Sequence, residues 1–455
     1  MIQPSRVQVI GDRKTTPGKY VLYWMQQAER VRFNHALEYA IDQANDLDLP
    51  LIVCFAVMDD YPEANARHYQ FLLEGLRDVE SDLKERGIRF VCRHGPAPKV
   101  AIELAKDAAM VVCDRGYTRH QRRWRDDVAD HAGTRVVQVE SDVVVPVETT
   151  SPKQEFAART IRPKIHKLWK TFLVGLTQRT LEHESVRMRV AGDIDLSDPA
   201  AALAKLKVDR SVGPTPFFEG GSHAAQRKLK AFVAGKLQGY AEGRNEPAAG
   251  HTSLMSSHLH FGQISPLELA LAVEGSDAPP EDRDAYLEEM IVRRELAMNY
   301  VYYCPHYDGY EGLPAWAKKT LAEHEKDPRS PVYTRAELEQ ARTHDEFWNA
   351  AQREMTLTGY MHNYMRMYWG KKILEWTPSP KQAFETTLYL NNKYFLCGRD
   401  PISFASVAWI YGLHDRPWGP ARKIFGLIRY MNEAGLRRKF DMPAYVRKIN
   451  GLGTR

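Results

Sequence analysis

The feature that most constrains this chain is the rhythm of residues 19–145. Short, continuous apolar runs alternate there with longer amphipathic stretches. The spacing predicts strands over 20–25 (YVLYWM), 51–58 (LIVCFAVM), 88–92, 110–113 and 134–139. It predicts helices over 31–44, 65–86, 98–106 and 119–131, the second carrying Phe71, Leu72, Leu76, Val79 and Leu83 at a spacing of three to four. Strands that are apolar on both faces and separated by helices imply a parallel sheet covered on both sides. The first strand is not followed by GxGxxG, so the dinucleotide fingerprint is missing. A ligand of this part is expected at the carboxyl ends of the strands.

The rhythm stops after 145. Residues 146–235 read as a long crossing connection, whose last irregular stretch is marked by Pro214, Pro216, Gly220 and Gly221. From 225 onward the pattern is almost wholly helical and carries six of the nine tryptophans. A length of 455 residues calls for more than one core. The expected division is an α/β N-terminal domain over 1–145, a connector over 146–235 and an all-α domain over 236–455.

Hydrophobic residues at 44% and charged residues at 27% are ordinary globular values, which excludes disorder as the main theme. No apolar run is long enough to span a bilayer, and the first residues lack the apolar core of a leader, so a soluble cytosolic chain is expected. Cys54, Cys92, Cys113, Cys304 and Cys397 are scattered without metal-ligand spacing and read as small buried hydrophobes. The net charge of +5 is modest, but 414–448 holds nine Lys/Arg against Asp415, Glu433 and Asp441, a local excess that attracts phosphates.

Four stretches could carry chemistry, and each also has an ordinary structural reading. In 239–265, Tyr240 and Arg244 share a helical face, and Thr252, Ser253, Leu254, Met255 and Ser256 precede an apolar stretch. Hydroxyls and free N–H groups at a helix start bind phosphate or simply cap the helix. In 286–303, Glu289 and Arg293 form an i,i+4 pair beside an apolar face, as a surface ion pair or as a partly desolvated carboxylate. In 359–401, Trp369 and Trp376 lie seven apart on one helix face with Trp348 upstream, a spacing equally typical of core. In 405–418, Trp409 precedes a turn holding Arg416 and Trp418, which suits an unstacked base or anchors a loop.

Taken together and in this order, these segments resemble the photolyase/cryptochrome family, and within it the class II cyclobutane pyrimidine dimer photolyases. The carrying motifs include HLHFGQIS (258–265), YLEEMIVRREL (286–296), FWNAAQ (347–352), MHNYMRMYWGKKILEW (361–376), GRDP (398–401) and HDRPWG (414–419). The resemblance covers nearly the whole chain. It implies a Rossmann-like domain followed by a helical domain holding FAD, fully reduced when active. Light would drive an electron from FAD to a pyrimidine dimer flipped out of UV-damaged DNA. It also implies a monomer that associates with the nucleoid when bound to DNA.

Residue by residue, the resemblance makes Tyr240 a flavin-site tyrosine and Arg244 an arginine near the lesion. Thr252 to Ser256 would line the FAD diphosphate. Glu289 would hydrogen-bond the dimer, and Asn391 would face flavin N5 and favour its reduced states. Trp369, Trp348 and Trp376 would carry electrons between flavin and surface. Trp409 would contact the dimer, with Arg416 and Trp418 filling the gap in the duplex. Many members carry Asp at the position of Cys397, paired with the arginine matching Arg366; here Asp400 could substitute, or Arg366 could rest on the flavin alone. Arg293 stands where some members have tryptophan and receives no lesion role. The resemblance extends to a deazaflavin antenna in the N-terminal domain, which no single residue specifies. A cryptochrome-type photoreceptor and a (6-4) photoproduct repair enzyme are the alternatives. The second is expected to need a histidine pair at the lesion, where His362 is followed here by Asn363.

Overall fold

The computed structural model describes residues 2–453. Six strands form one sheet: β1 (Val7–Ile10), β2 (Tyr20–Trp24), β3 (Leu51–Val57), β4 (Arg89–His94), β5 (Ala108–Asp114) and β6 (Arg135–Val139). Their order across the sheet is β1-β6-β5-β2-β3-β4. The five predicted strands are present and mutually parallel, and β2, β3 and β5 are buried along their full length. The expectation of a wholly parallel sheet is corrected at one edge. There β1 pairs antiparallel with β6, Val7 opposite Val139. Its four residues are half-exposed, so they lack the continuous apolar run that marks its neighbours.

Helices cover both faces. His35–Asp46 and Ala66–Glu85 pack on one side, around Leu37, Ile41, Leu73 and Leu76. Ala97–Ala105 and Arg119–His131 pack on the other, around Val100, Leu104 and Val128. The first predicted helix starts later than its periodicity suggests. Asn34 caps it by accepting from the Leu37 N–H, and its other amide atoms are tied to Tyr23 and the turn before it.

The stretch 146–235 is more structured than a crossing loop. The helix Ala158–Phe172 shares an apolar cluster with Leu229, Phe232, Tyr286 and Ile291, so it belongs to the helical half. Residues 173–198 hold no helix, and Leu181, Leu196, Leu203 and Leu206 pack back onto the sheet half; from Ser222 the fold is helical, around a core holding Trp348, Trp369 and Trp376.

Many contacts fix the halves together, among them two deep joints. At Gly262, φ is +63° and an added Cβ would lie 1.8 Å from the Gln27 carbonyl oxygen, so only glycine allows this approach. Arg30 donates to the Gly262 carbonyl at 2.8 Å and Gln27 to that of His260 at 3.1 Å. Deeper in, Arg294 pairs with Asp142 at 2.9 Å, both almost fully buried. Cys54, Cys92 and Cys113 lie in β3, β4 and β5, and all five thiols are free and buried. Among the described residues no helix is long and apolar enough to cross a membrane.

Candidate functional site

A cavity of about 550 Å³ opens in the helical half, lined among others by Tyr240, Arg244, Thr252, Ser256, Glu289, Arg293, Arg366, Cys397 and Trp409. Residues predicted from four separate stretches of sequence thus line one cavity.

Tyr240 begins the short helix Tyr240–Gly243 and is buried edge-on against Tyr286, ring centres 5.2 Å apart. Arg244 follows at its end, 5.6 Å above the Tyr240 ring and 2.9 Å from the Glu289 carboxylate. The expected Glu289–Arg293 pair does not form. Glu288–Arg293 is a π-helix, whose wider turn places Arg293 beside Glu288 instead, at 3.1 Å. Glu288 also takes Arg162 at 2.6 Å. This leaves Glu289, about one-third exposed, to meet Arg244 at the cavity.

The loop 252–256 contributes Thr252 and Ser256 to the lining. Thr252 Oγ1 lies 3.3 Å from the Tyr360 hydroxyl, and Ser253 Oγ accepts from Tyr286. Leu254 holds φ at +56°, which turns the chain sharply. Met255 is buried in the core. The helix expected after this loop is one turn, Ser256–His260, before a second begins at Pro266.

Arg366 also lines the cavity. Its guanidinium lies 3.7 Å from the centre of the Phe395 ring and reaches Cys397 Sγ at 3.5 Å, while its Nε is buried without a partner. Asp400 does not substitute as its carboxylate. It caps the helix Pro401–Ile410 through the Ile402 N–H and lies 3.3 Å from His260. Asn391 is fully buried on Pro380–Tyr394. Its Nδ2 donates to Ser403 and Asn392, and its Oδ1 has no partner.

The three tryptophans form a contiguous set. Trp369 and Trp376 share the helix Asn363–Trp376, and Trp348 sits across from both. Its Nε1 donates to the Trp369 carbonyl at 2.9 Å, and its ring is 5.7 Å from that of Trp376. Trp369 Nε1 donates to Gln352. Trp376 does not itself reach the surface. It is 2% exposed and lies under Tyr333 and the exposed His344.

Trp409 is half-buried at the cavity rim with the Arg293 guanidinium 5.5 Å from its ring. Arg416 and Trp418 stand outside the cavity, stacked at 4.7 Å, with Arg429 on the same indole at 4.9 Å. All nine basic residues of 414–448 are exposed.

Sequence reasoning missed several lining residues, two of them buried titratable groups. Lys371 is buried and donates to the Ile410 carbonyl; burial lowers its ammonium to about 7. His414 is buried with φ at +58°, and burial lowers it to about 4, so its ring is neutral. Nothing in local spacing marks either, because their burial comes from helices distant in sequence. A second cavity lies at the carboxyl ends of β2 and β3, as expected for a ligand of the sheet. Trp24, Phe55, Tyr69, Trp124 and Arg399 line it.

Residues 21–183 match the family model described as DNA photolyase. A curated relative named deoxyribodipyrimidine photo-lyase, from Methanothermobacter thermautotrophicus, is 48% identical over 99% of this chain and 99% of its own length. A namesake from Arabidopsis thaliana is 36% identical over 99% of this chain and 94% of its own. A crystal structure of a bacterial class III photolyase from Agrobacterium tumefaciens superposes with a TM-score of 0.73 at 20% identity, covering 96% of this chain and 87% of its own. An archaeal photolyase from Sulfolobus tokodaii, solved with two FAD molecules, superposes at 0.69 and 17% identity, covering 94% of this chain and 89% of its own. With its cavity assembled from segments spread along a chain that its relatives match from end to end, the protein belongs to the DNA photolyase family.

Proposed function

We propose that this protein is a class II deoxyribodipyrimidine photo-lyase that splits cyclobutane pyrimidine dimers in UV-damaged DNA, using light and FAD. The observation that carries this reading is the cavity wall itself. It sets the Arg244–Glu289 pair and Trp409 together with an arginine, Arg366, that has no anionic partner among the described residues. Two buried polar atoms of the residues expected to hold FAD, Arg366 Nε and Asn391 Oδ1, lack partners among the described residues. An electron-rich flavin offers what each wants: negative charge for the first and an N–H donor for the second.

Bound in its fully reduced form, FAD would supply an electron on absorbing light and recover it after the dimer opens. The chain's own residues bind and orient. Tyr240, Thr252 and Ser256 would hold the cofactor, with Ser253, Leu254 and Met255 shaping the loop. Glu289, fixed by Arg244, would hydrogen-bond the dimer's carbonyl edge, and Trp409 would press on its face. Arg416 and Trp418 would stand in the duplex where the dimer has left. The tryptophans at 369, 348 and 376 would refill an oxidised flavin with electrons.

The same reading divides the chain at 145 and 235, with Ala158–Phe172 packing onto the catalytic part. A deazaflavin antenna would occupy the strand-end cavity, where Gln26 Nε2, Glu29 Oε2 and Arg399 Nε of its lining are buried without partners. The protein would act as a cytoplasmic monomer on chromosomal DNA. Both ring nitrogens of His362 are engaged by backbone, of Tyr364 and Arg244, which disfavours (6-4) repair chemistry through it.

The test is direct. Reduced protein is mixed with dimer-containing DNA and kept in blue light or darkness. Thymine is expected to be restored in the light alone; no light-dependent restoration would sink the proposal.

A further inference from the structure

We propose that a second groove beside the main cavity holds the lesion-bearing DNA strand as it leaves the dimer, with the Phe156 ring stacked on the neighbouring base and Arg159 meeting its phosphate. The inference rests on the reading of the main cavity as the dimer site.

The groove has a volume of about 460 Å³ and shares Arg293, His414 and Asp415 with the main cavity, so the two adjoin across these residues. On its far side Phe156 is 46% exposed. Its backbone is anchored by hydrogen bonds at this residue and the one before it. The Phe156 carbonyl accepts from His414 Nδ1 at 2.8 Å, which ties it to the loop that follows Trp409. One residue earlier, the Glu155 N–H donates to Asn299 at 2.7 Å, and the Glu155 carboxylate is held by Ser151 and Lys164. The ring is thus presented to solvent from a fixed position rather than left there by a loose loop.

The charge around it is positive. Arg162 and Arg293 share one carboxylate, Glu288. Asp415 is occupied by the Arg416 N–H and the Trp418 indole. Arg159, 5.9 Å from the Phe156 ring, has no carboxylate partner among the described residues, and Arg416 is exposed. An aromatic face flanked by uncompensated guanidiniums matches single-stranded nucleic acid, where bases stack and phosphates pair with arginine. A strand that has given up a dimer to the adjoining cavity leaves the neighbouring base without one of its stacking partners.

The experiment measures affinity of the full chain for a single-stranded oligonucleotide and a duplex, each with and without one dimer. Phe156→Ala is expected to weaken binding of both dimer-containing probes by a similar factor, roughly 5- to 150-fold. Phe156→Trp should retain affinity, and Arg159→Ala should reduce the salt slope by about one. Circular dichroism melting checks that each variant is folded, and the splitting rate at saturating DNA should not change. Unchanged affinity in folded Phe156→Ala overturns the proposal. A loss confined to the duplex assigns the ring to the opposite strand and overturns it too. Wild-type protein with no preference for the dimer is a separate result: it removes the reading of the main cavity, and the groove's role with it.

Discussion

Arg366 is held by a ring face and a thiol, with nothing anionic beside it among the described residues. A cation of this kind on a flavin site stabilises added negative charge, and a carboxylate beside it would cancel that effect. Cys397→Asp is therefore expected to lower the midpoint potential of the bound flavin by on the order of tens of millivolts. A redox titration of the two proteins checks this, and an unchanged or higher potential would refute it. In the proposed reaction Glu289 would act on the dimer through a single charged hydrogen bond. Glu289→Gln should keep flavin bound and lower dimer splitting per absorbed photon by roughly tenfold, the scale of one charge-assisted bond. A wild-type yield would remove Glu289 from the reaction. The pairing of Glu289 with Arg244 was not legible in spacing. The i,i+4 rule assumes an α-helix, and the extra residue in the π-turn gives Arg293 to Glu288 instead.

The helix Asn363–Trp376 does what its spacing suggests and more. Its two tryptophans fall on one face, and Trp348 bridges them from a neighbouring helix. Trp369→Phe should abolish photoreduction of oxidised flavin while leaving repair by chemically reduced protein intact. Normal photoreduction followed by absorbance would exclude the chain of three. The turn between Ser256–His260 and Pro266–Glu274 has a different task, joining the two halves of the molecule. Gly262→Ala forces a Cβ onto the Gln27 carbonyl at a positive φ, and should cost about 1–3 kcal/mol of unfolding free energy. A denaturant midpoint equal to wild type would show that the joint yields.

At the scale of the whole molecule, the charges buried where helices meet tie stability to pH. Lys371 is lowered by burial from its ordinary 10.5 to about 7. Above that pH the folded chain is neutral at this position, while the unfolded chain keeps the proton until near 10.5. The unfolded state then binds more protons, so this residue's contribution to stability rises from pH 7 upward. Glu295, buried and raised to about 8, acts oppositely between its ordinary 4.5 and 8. There the folded state keeps the extra proton and stability falls as pH rises. The difference between wild type and Lys371→Met isolates the lysine. Wild type should gain on the order of 1–3 kcal/mol relative to the variant between pH 7 and 9 in denaturant titrations. Parallel curves would refute the buried charge.

Much of the architecture follows from patterns that repeat within one element. Runs such as those of β2, β3 and β5 can satisfy their side chains only when both faces are covered, so the sheet and its helices are readable along the chain. The short edge strand β1 escaped because a half-exposed four-residue segment has no such run. The composition of the cavity was readable only through collinear resemblance, since every member residue has an ordinary local use as cap, ion pair or core. Which residues face one another was settled by packing between elements far apart in sequence. That packing left Arg366 without a carboxylate, spent Asp400 on a helix cap and buried Lys371. Partner, burial and charge state are properties of the assembled interior, and no single stretch of the chain carries them.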